Sequence, residues 1–175
     1  MPRGLPADPR IDMKRISLLI LPCALLALVL AGIASANTSH EGWPRINGVL
    51  KMHKQDQSGA IHGTSRSDEL LGGHGNDTIY GSTASDVLWG DYKPGGQPTS
   101  QVDHLYGGPG RDFIYASHGV NVIRAGAGND YVKAHFGRGS IDCGSGYDVV
   151  YVSHRGRKGW KIRNCETISH KTLGY

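Results

Sequence analysis

A nine-residue beat constrains this chain more than any other feature. Residues 107–115 read Gly-Gly-Pro-Gly-Arg-Asp-Phe-Ile-Tyr, and residues 72–80 read Gly-Gly-His-Gly-Asn-Asp-Thr-Ile-Tyr. Worn copies follow at 125–133 and 143–151, with Ala125 and Cys143 in the first place. The sixth place falls on Asp68, Asp77, Asp86, Asp103, Asp112, Asn121, Asp130, Gly139 and Asp148. Two residues later comes a row with no polar member: Leu70, Ile79, Leu88, Leu105, Ile114, Ile123, Val132, Ile141 and Val150. A short fixed period of this kind is the signature of a solenoid, in which each repeat supplies one turn and one short strand. The expected fold is therefore all-β, a short parallel β-roll with a cap at each end. The chain holds 26 glycines, a share that without periodicity would point to a low-complexity chain.

Around the repeat the chain divides into four parts. Lys14 and Arg15 precede an apolar run from Ile16 to Ile33, and Ala34-Ser35-Ala36 is a small-x-small ending. Residues 1–36 are read as a secretory signal, with 1–12 an upstream extension and Met13 the natural start. The rival reading is an uncleaved anchor, since the run is long enough to span a bilayer. Residues 37–60 form an N-terminal cap, because an open solenoid end exposes apolar side chains and strand edges. Residues 61–151 are the roll. Within it the step from Asp86 to Asp103 is longer than the others and holds Pro94, Gly95, Gly96 and Pro98. Residues 90–102 are either an inserted surface loop or a degenerate extra repeat. Residues 152–175 are a C-terminal cap, where the beat stops and Trp160, Ile162 and Ile168 offer a closing strand pair. Beyond the signal two cysteines remain, Cys143 and Cys165. In an exported protein such a pair suggests a disulfide, here tying the cap to the last coil. A loop of about 20 residues closed this way is worth roughly 3 kcal/mol in the chain-entropy picture.

The turns carry the chemistry. Glycine lets a turn take positive φ and aim carbonyl oxygens at an ion, and the Asp adds charge. Calcium asks for six to eight hard oxygens in forgiving geometry. The phrases at 72–80, 107–115, 125–133 and 143–151 resemble the RTX (repeats-in-toxin) family, the hemolysin-type calcium-binding nonapeptide repeat. The resemblance implies a right-handed parallel β-roll in which two nonapeptides make one coil and calcium lies between turns stacked on the same edge. Stacked partners are then two repeats apart. With the insertion taken as a loop, one edge carries Asp68, Asp86, Asp112, Asp130 and Asp148, and the other carries Asp77, Asp103, Asn121 and Gly139; if it is a repeat, residues before 90 swap edges and Asp77 stacks under the edge of Asp112. The metal residues this implies are Gly107, Gly108, Gly110 and Asp112; Gly126, Gly128 and Asp130; and Gly144, Gly146 and Asp148. Asp77 with Gly73 and Gly75 follows, then Asp68, Asp86 and Asp103. The best placed ions lie between the turns of Asp112 and Asp130 and between those of Asp130 and Asp148. Around Asp68 and Asp86 the inner glycines are missing.

Other function classes are poorly served. A formal charge of +4, dispersed along the chain, does not argue for nucleic acid. No Gly-x-Ser-x-Gly elbow is present, and the nine histidines form no close helical pair for zinc. The expectation is a secreted, non-catalytic calcium-binding protein, free of the membrane once its signal is removed. The strand residues beside the buried row point outwards, and on one sheet they include Val87, Trp89, Phe113, Tyr115, Tyr131 and Tyr151. That apolar face is either a docking surface for a protein or surface polymer, the adhesin-like alternative, or is covered by the chain's own caps.

Overall fold

The computed structural model describes residues 42–53, 57–91 and 98–171. The expected signal, 1–36, and the middle of the insertion, 92–97, lie outside the described residues. The described chain is a β-solenoid of two parallel sheets. One is seven-stranded: β1 (Leu50–Met52), β3 (Glu69–Leu71), β5 (Val87–Trp89), β7 (Phe113–Tyr115), β9 (Tyr131–Lys133), β11 (Val149–Tyr151) and β13 (Thr167–Ser169). The other is six-stranded: β2 (Gly59–His62), β4 (Asp77–Tyr80), β6 (Val102–Pro109), β8 (Val120–Ala127), β10 (Arg138–Ser145) and β12 (Trp160–Arg163). Successive strands alternate between sheets, so each pairs with the strand two repeats away.

The apolar row explains why the two sheets close on each other. Side chains alternate across a strand, and the central residue of each short strand turns inwards. Leu70, Ile79, Leu88, Leu105, Ile114, Ile123, Val132, Ile141 and Val150 are all fully buried in one cluster. Register confirms the stacking: Leu70 pairs with Leu88, Ile114 with Val132 and Ile123 with Ile141. Across the insertion Ile79 pairs with Leu105 and Leu88 with Ile114. Both ladders stay in step across the insertion, and its described residues 98–101 add no strand.

The C-terminal end departs from expectation in detail. At the start, β1 extends the seven-stranded sheet by pairing with β3. At the finish the expected closing pair does not form. β12 joins β10 and β13 joins β11, in different sheets. The beat does not stop at Val150, because Val150 pairs with Ile168 in the same register. A disulfide links Cys143 to Cys165, with Cα atoms 5.2 Å apart. Trp160 is buried against the core.

The outward aromatic face of the seven-stranded sheet is not a free surface. Val87, Phe113 and Tyr115 are buried beneath Trp43 and Ile46 from the N-terminal segment. The Trp43 indole N–H donates to the Tyr115 hydroxyl at 2.6 Å, and its ring meets those of Trp89 and Tyr115 edge-on. The Arg111 guanidinium lies over Phe113 and Tyr131, and the Lys133 ammonium over Tyr115. Covering by the chain's own cap therefore overturns the docking role for most of this face. Exposed stacking occurs on the other sheet, where His62, Tyr80 and Tyr106 stack with centroids 4.7 and 4.9 Å apart. Arg124 and Asp142 stand in register on neighbouring strands, and the Asp142 carboxylate bonds Arg163 and Asn164.

The inner row should dominate stability. Ile114→Ala is expected to cost about 2–5 kcal/mol in denaturant unfolding. Ile168→Ala, in the half-exposed last strand, should cost well under half as much.

Candidate metal centre

On the seven-stranded sheet's edge the carboxylates form a hydrogen-bonded chain along the roll. The backbone N–H of Asp68 donates to Asp86 Oδ1 at 2.7 Å, that of Asp86 to Asp112 Oδ1 at 2.8 Å, that of Asp112 to Asp130 Oδ1 at 2.8 Å, and that of Asp130 to Asp148 Oδ1 at 2.7 Å. On the other edge the Asp77 N–H donates to Asp103 Oδ1 at 2.9 Å. The structure thus brings together the residues expected on each edge. The first chain also runs one step further than expected. The Asp148 N–H donates to Glu166 Oε2 at 2.7 Å, and Asn164 takes positive φ at the place Gly146 holds one coil earlier. Sequence reasoning missed this last turn because it has neither glycine nor aspartate. Its remaining signals were the 18-residue spacing of Glu166 and Ile168.

Only one oxygen of each carboxylate is used in this way. Oδ2 of Asp77, Asp86, Asp103, Asp112, Asp130 and Asp148 is buried without a hydrogen-bond partner. A lost partner for a buried polar atom costs about 1–3 kcal/mol, more if charged, so a row of them marks places where something else belongs. Asp68 differs. Its Oδ2 accepts from the Thr64 backbone and hydroxyl, so this turn, which has Thr64 for a glycine, satisfies itself.

The glycines show where oxygens crowd the backbone. A methyl group on Gly72 would collide with Asp77 Oδ2 and the Gly90 carbonyl. On Gly81 it would meet Asp86 Oδ2 and the Gly107 carbonyl, and on Gly107 it would meet Asp112 Oδ2 and the Ala125 carbonyl. Each first-place glycine therefore lets its own carboxylate and a carbonyl of the next coil approach its backbone, and so each other, closely. Ala125 and Cys143 hold that place in the next two turns, and both side chains belong to the core cluster. The later glycines do a second job. Gly108, Gly110, Gly126, Gly128, Gly144 and Gly146 all have positive φ. Carbonyls of the coil before point straight at each of them, leaving no room for a Cβ. Ser82 and Ala84 adopt the same φ region without being glycine, so the turn of Asp86 keeps its shape at a cost in strain.

Asn121 shows what the empty positions want. Its amide nitrogen donates to the Ser117 and Gly119 carbonyls, at 3.2 and 3.3 Å, and its Oδ1 accepts from the Ser117 N–H. The carboxamide is a donor placed among turn carbonyls. An Asp in this place has no proton to offer them, and a cation serves carbonyls and carboxylate alike. Among the described residues no three His, Cys, Asp or Glu side chains gather as a metal cluster. Any ion here must draw on backbone oxygens, which suits a hard cation such as calcium.

Burial sets the electrostatics. Desolvation is the leading cause in every case: it pushes Asp86 up to about 7, Asp112 to about 8, Asp130 to about 7 and Asp103 to about 6. Asp77, Asp91 and Asp148 are raised as well. Backbone donors pull the other way, and the neighbouring carboxylate adds to the rise at Asp112 and Asp130.

With this geometry described, comparison with known proteins identifies the repeat. The family profile of the RTX calcium-binding nonapeptide repeat matches residues 62–91 and 99–132, in four copies. This stretch is an RTX repeat region, a calcium-binding structural fold. No curated protein and no solved structure matches the chain. Among the described residues no helix is long and apolar enough to cross a membrane.

The raised carboxylates fix the sign of a pH effect. An unfolded Asp titrates near 3.8, and the folded values printed above reach about 8. Between those limits the metal-free fold holds more protons than the unfolded chain, so its stability falls as pH rises. In chelator, the melting temperature should be higher at pH 5 than at pH 8. Calcium added in unbuffered solution near pH 6.5 should release protons, and a pH-stat titration would detect them.

Proposed function

We propose that this is a secreted, non-catalytic calcium-binding protein whose roll is completed by calcium held between stacked turns. The observation that carries this reading is the row of buried, unpartnered Oδ2 atoms, three of which, on Asp77, Asp86 and Asp112, lie with a carbonyl of the next coil against a first-place glycine. The interval between Asp112 and Asp130 is best equipped, with Gly107, Gly108, Gly110, Gly126 and Gly128 around it. The intervals of Asp86 with Asp112 and of Asp77 with Asp103 follow, each having a first-place glycine that lets carboxylate and carbonyl oxygens approach. The interval of Asp130 with Asp148 keeps Gly144 and Gly146 but has Ala125, a core residue, in the first place, so it ranks lower than sequence spacing alone suggests. Asp68 ranks last because Thr64 already serves it.

Calcium in this role is a structural tie. It neutralises carboxylates that repel one another in a narrow stack, and its binding is coupled to folding. Affinity for a site of one or two carboxylates lies in the weak extracellular range, about 10⁻⁴–10⁻³ M. Export fits both this range and the disulfide between Cys143 and Cys165. No reaction chemistry is assigned, because the carboxylates face the space between coils and not a cleft open to substrate.

Melting followed by far-UV circular dichroism tests the reading. Millimolar calcium should raise the melting temperature well above that in chelator, with magnesium much less effective. Asp112→Asn should remove a substantial part of the calcium-dependent rise while changing the chelated melting temperature little or upwards. A fold indifferent to calcium would refute the proposal.

A further inference from the structure

The outer face of the six-stranded sheet gathers charge that the linear sequence scatters. On β8 and β10 the residues beside the buried Ile123 and Ile141 turn outwards. Ser140 stands between Val122 and Lys161, and Asp142 between Arg124 and Arg163. Two hollows of about 350 and about 420 Å³ adjoin over this face, with Val122, Ser140 and Lys161 lining both. Together they make one shallow trough. Arg124 and Arg163 line one end, Arg138 and Lys158 the other, and Lys161 the middle. All five are exposed. The one acid among the lining residues is Asp142, and its two oxygens are taken by Arg163 and Asn164, each at 2.7 Å. Five cations against one carboxylate leave an excess as large as the formal +4 of the whole chain.

We propose that this trough is a docking surface for a linear acidic polysaccharide. It lies on the sheet opposite the aromatic face that Trp43 covers, and it goes beyond the calcium reading without resting on it. Charge complementarity selects a polyanion. From Arg138 to the level of Asp142 the trough follows β10 for about 13 Å, room for a few sugar rings with their carboxylates or sulfates in a row. Its lining mixes the Ser140 hydroxyl with Val120 and Val122, which suits rings that have hydroxyl edges and apolar faces. Single-stranded nucleic acid fits less well, because its bases stack on open aromatic faces. Of the rings beside the trough, Trp160 is buried against the core. Tyr106 has Tyr80 stacked on it from β4, and the Arg124 guanidinium of β8 lies 5.7 Å from its centroid. A lipid surface fits less well too, since none of the large exposed hydrophobic residues among the described ones lines the trough.

Titration calorimetry of the full chain against soluble oligosaccharides tests this. The probes are an oligogalacturonate and a sulfated dextran oligosaccharide, with plain dextran, polyglutamate and single-stranded DNA for comparison. Wild type should bind at least one acidic sugar, more weakly as salt rises, and should ignore dextran. The tighter of the two acidic sugars tells carboxylate from sulfate. Lys161→Glu turns the central position against the ligand and should weaken binding by about tenfold or more. Ser140→Trp fills the trough without changing its charge and should weaken binding comparably. Arg66→Glu makes the same charge change on an exposed turn outside the trough and should bind as wild type. Melting shows which variants fold, and if one of the two trough variants does not, the other decides. Binding that survives Ser140→Trp, or that Arg66→Glu weakens as much as Lys161→Glu does, overturns the trough. Failure to bind either acidic sugar, or equal affinity for DNA or polyglutamate, overturns the polysaccharide.

Discussion

The whole roll depends on one repeated hydrogen bond, from the backbone N–H of an Asp to Oδ1 of the Asp one coil later. It sets the distance between turns, keeps the edge in register with the strands and draws each carboxylate out of water. It also leaves the second oxygen stranded. Burial then drives the pKa of that group upwards, so that near neutrality the metal-free fold must choose between holding a proton and holding an unpaired charge. A cation between coils removes the choice. The contact that stacks the turns also leaves the second carboxylate oxygen without a partner.

The two edges solve this problem differently. On the first edge Asp recurs from coil to coil, and first-place glycines let carbonyl and carboxylate oxygens approach the backbone closely. On the second edge the solution changes along the chain. Asp77 has a complete glycine turn, Asp103 accepts from the Asp77 N–H, and Asn121 brings an amide that donates to Ser117 and Gly119. The C-terminal half of that edge is closed by hydrogen bonds of its own. Calcium dependence should be graded around the molecule accordingly, strong on one edge and absent at Asn121. At the last coil a covalent tie between Cys143 and Cys165 joins the turns.

Much of this was legible in the sequence because both periodic rows report single physical demands. The apolar row must fill the space between two sheets, so Leu70 to Val150 predicted the sheets and their stacking. The Asp row must line one edge or the other, so Asp112 and Asp130 could be stacked before any coordinates. What escaped had no periodic signal. Glu166 and Asn164 stand in for aspartate and glycine in a turn that has lost both. The burial of Phe113 and Tyr115 depends on Trp43, whose position in sequence says nothing about where its ring will lie.

Amide hydrogen exchange along both edges, with calcium and in chelator, tests the central claim most directly. The account expects calcium to slow exchange strongly in the turns at 72–77, 81–86, 107–112 and 125–130, and at Gln101 to Asp103. It expects no change at Ser117 and Gly119, where the Asn121 amide already closes the turn. Protection that spreads evenly over both edges, or none at the Asp turns, would contradict it.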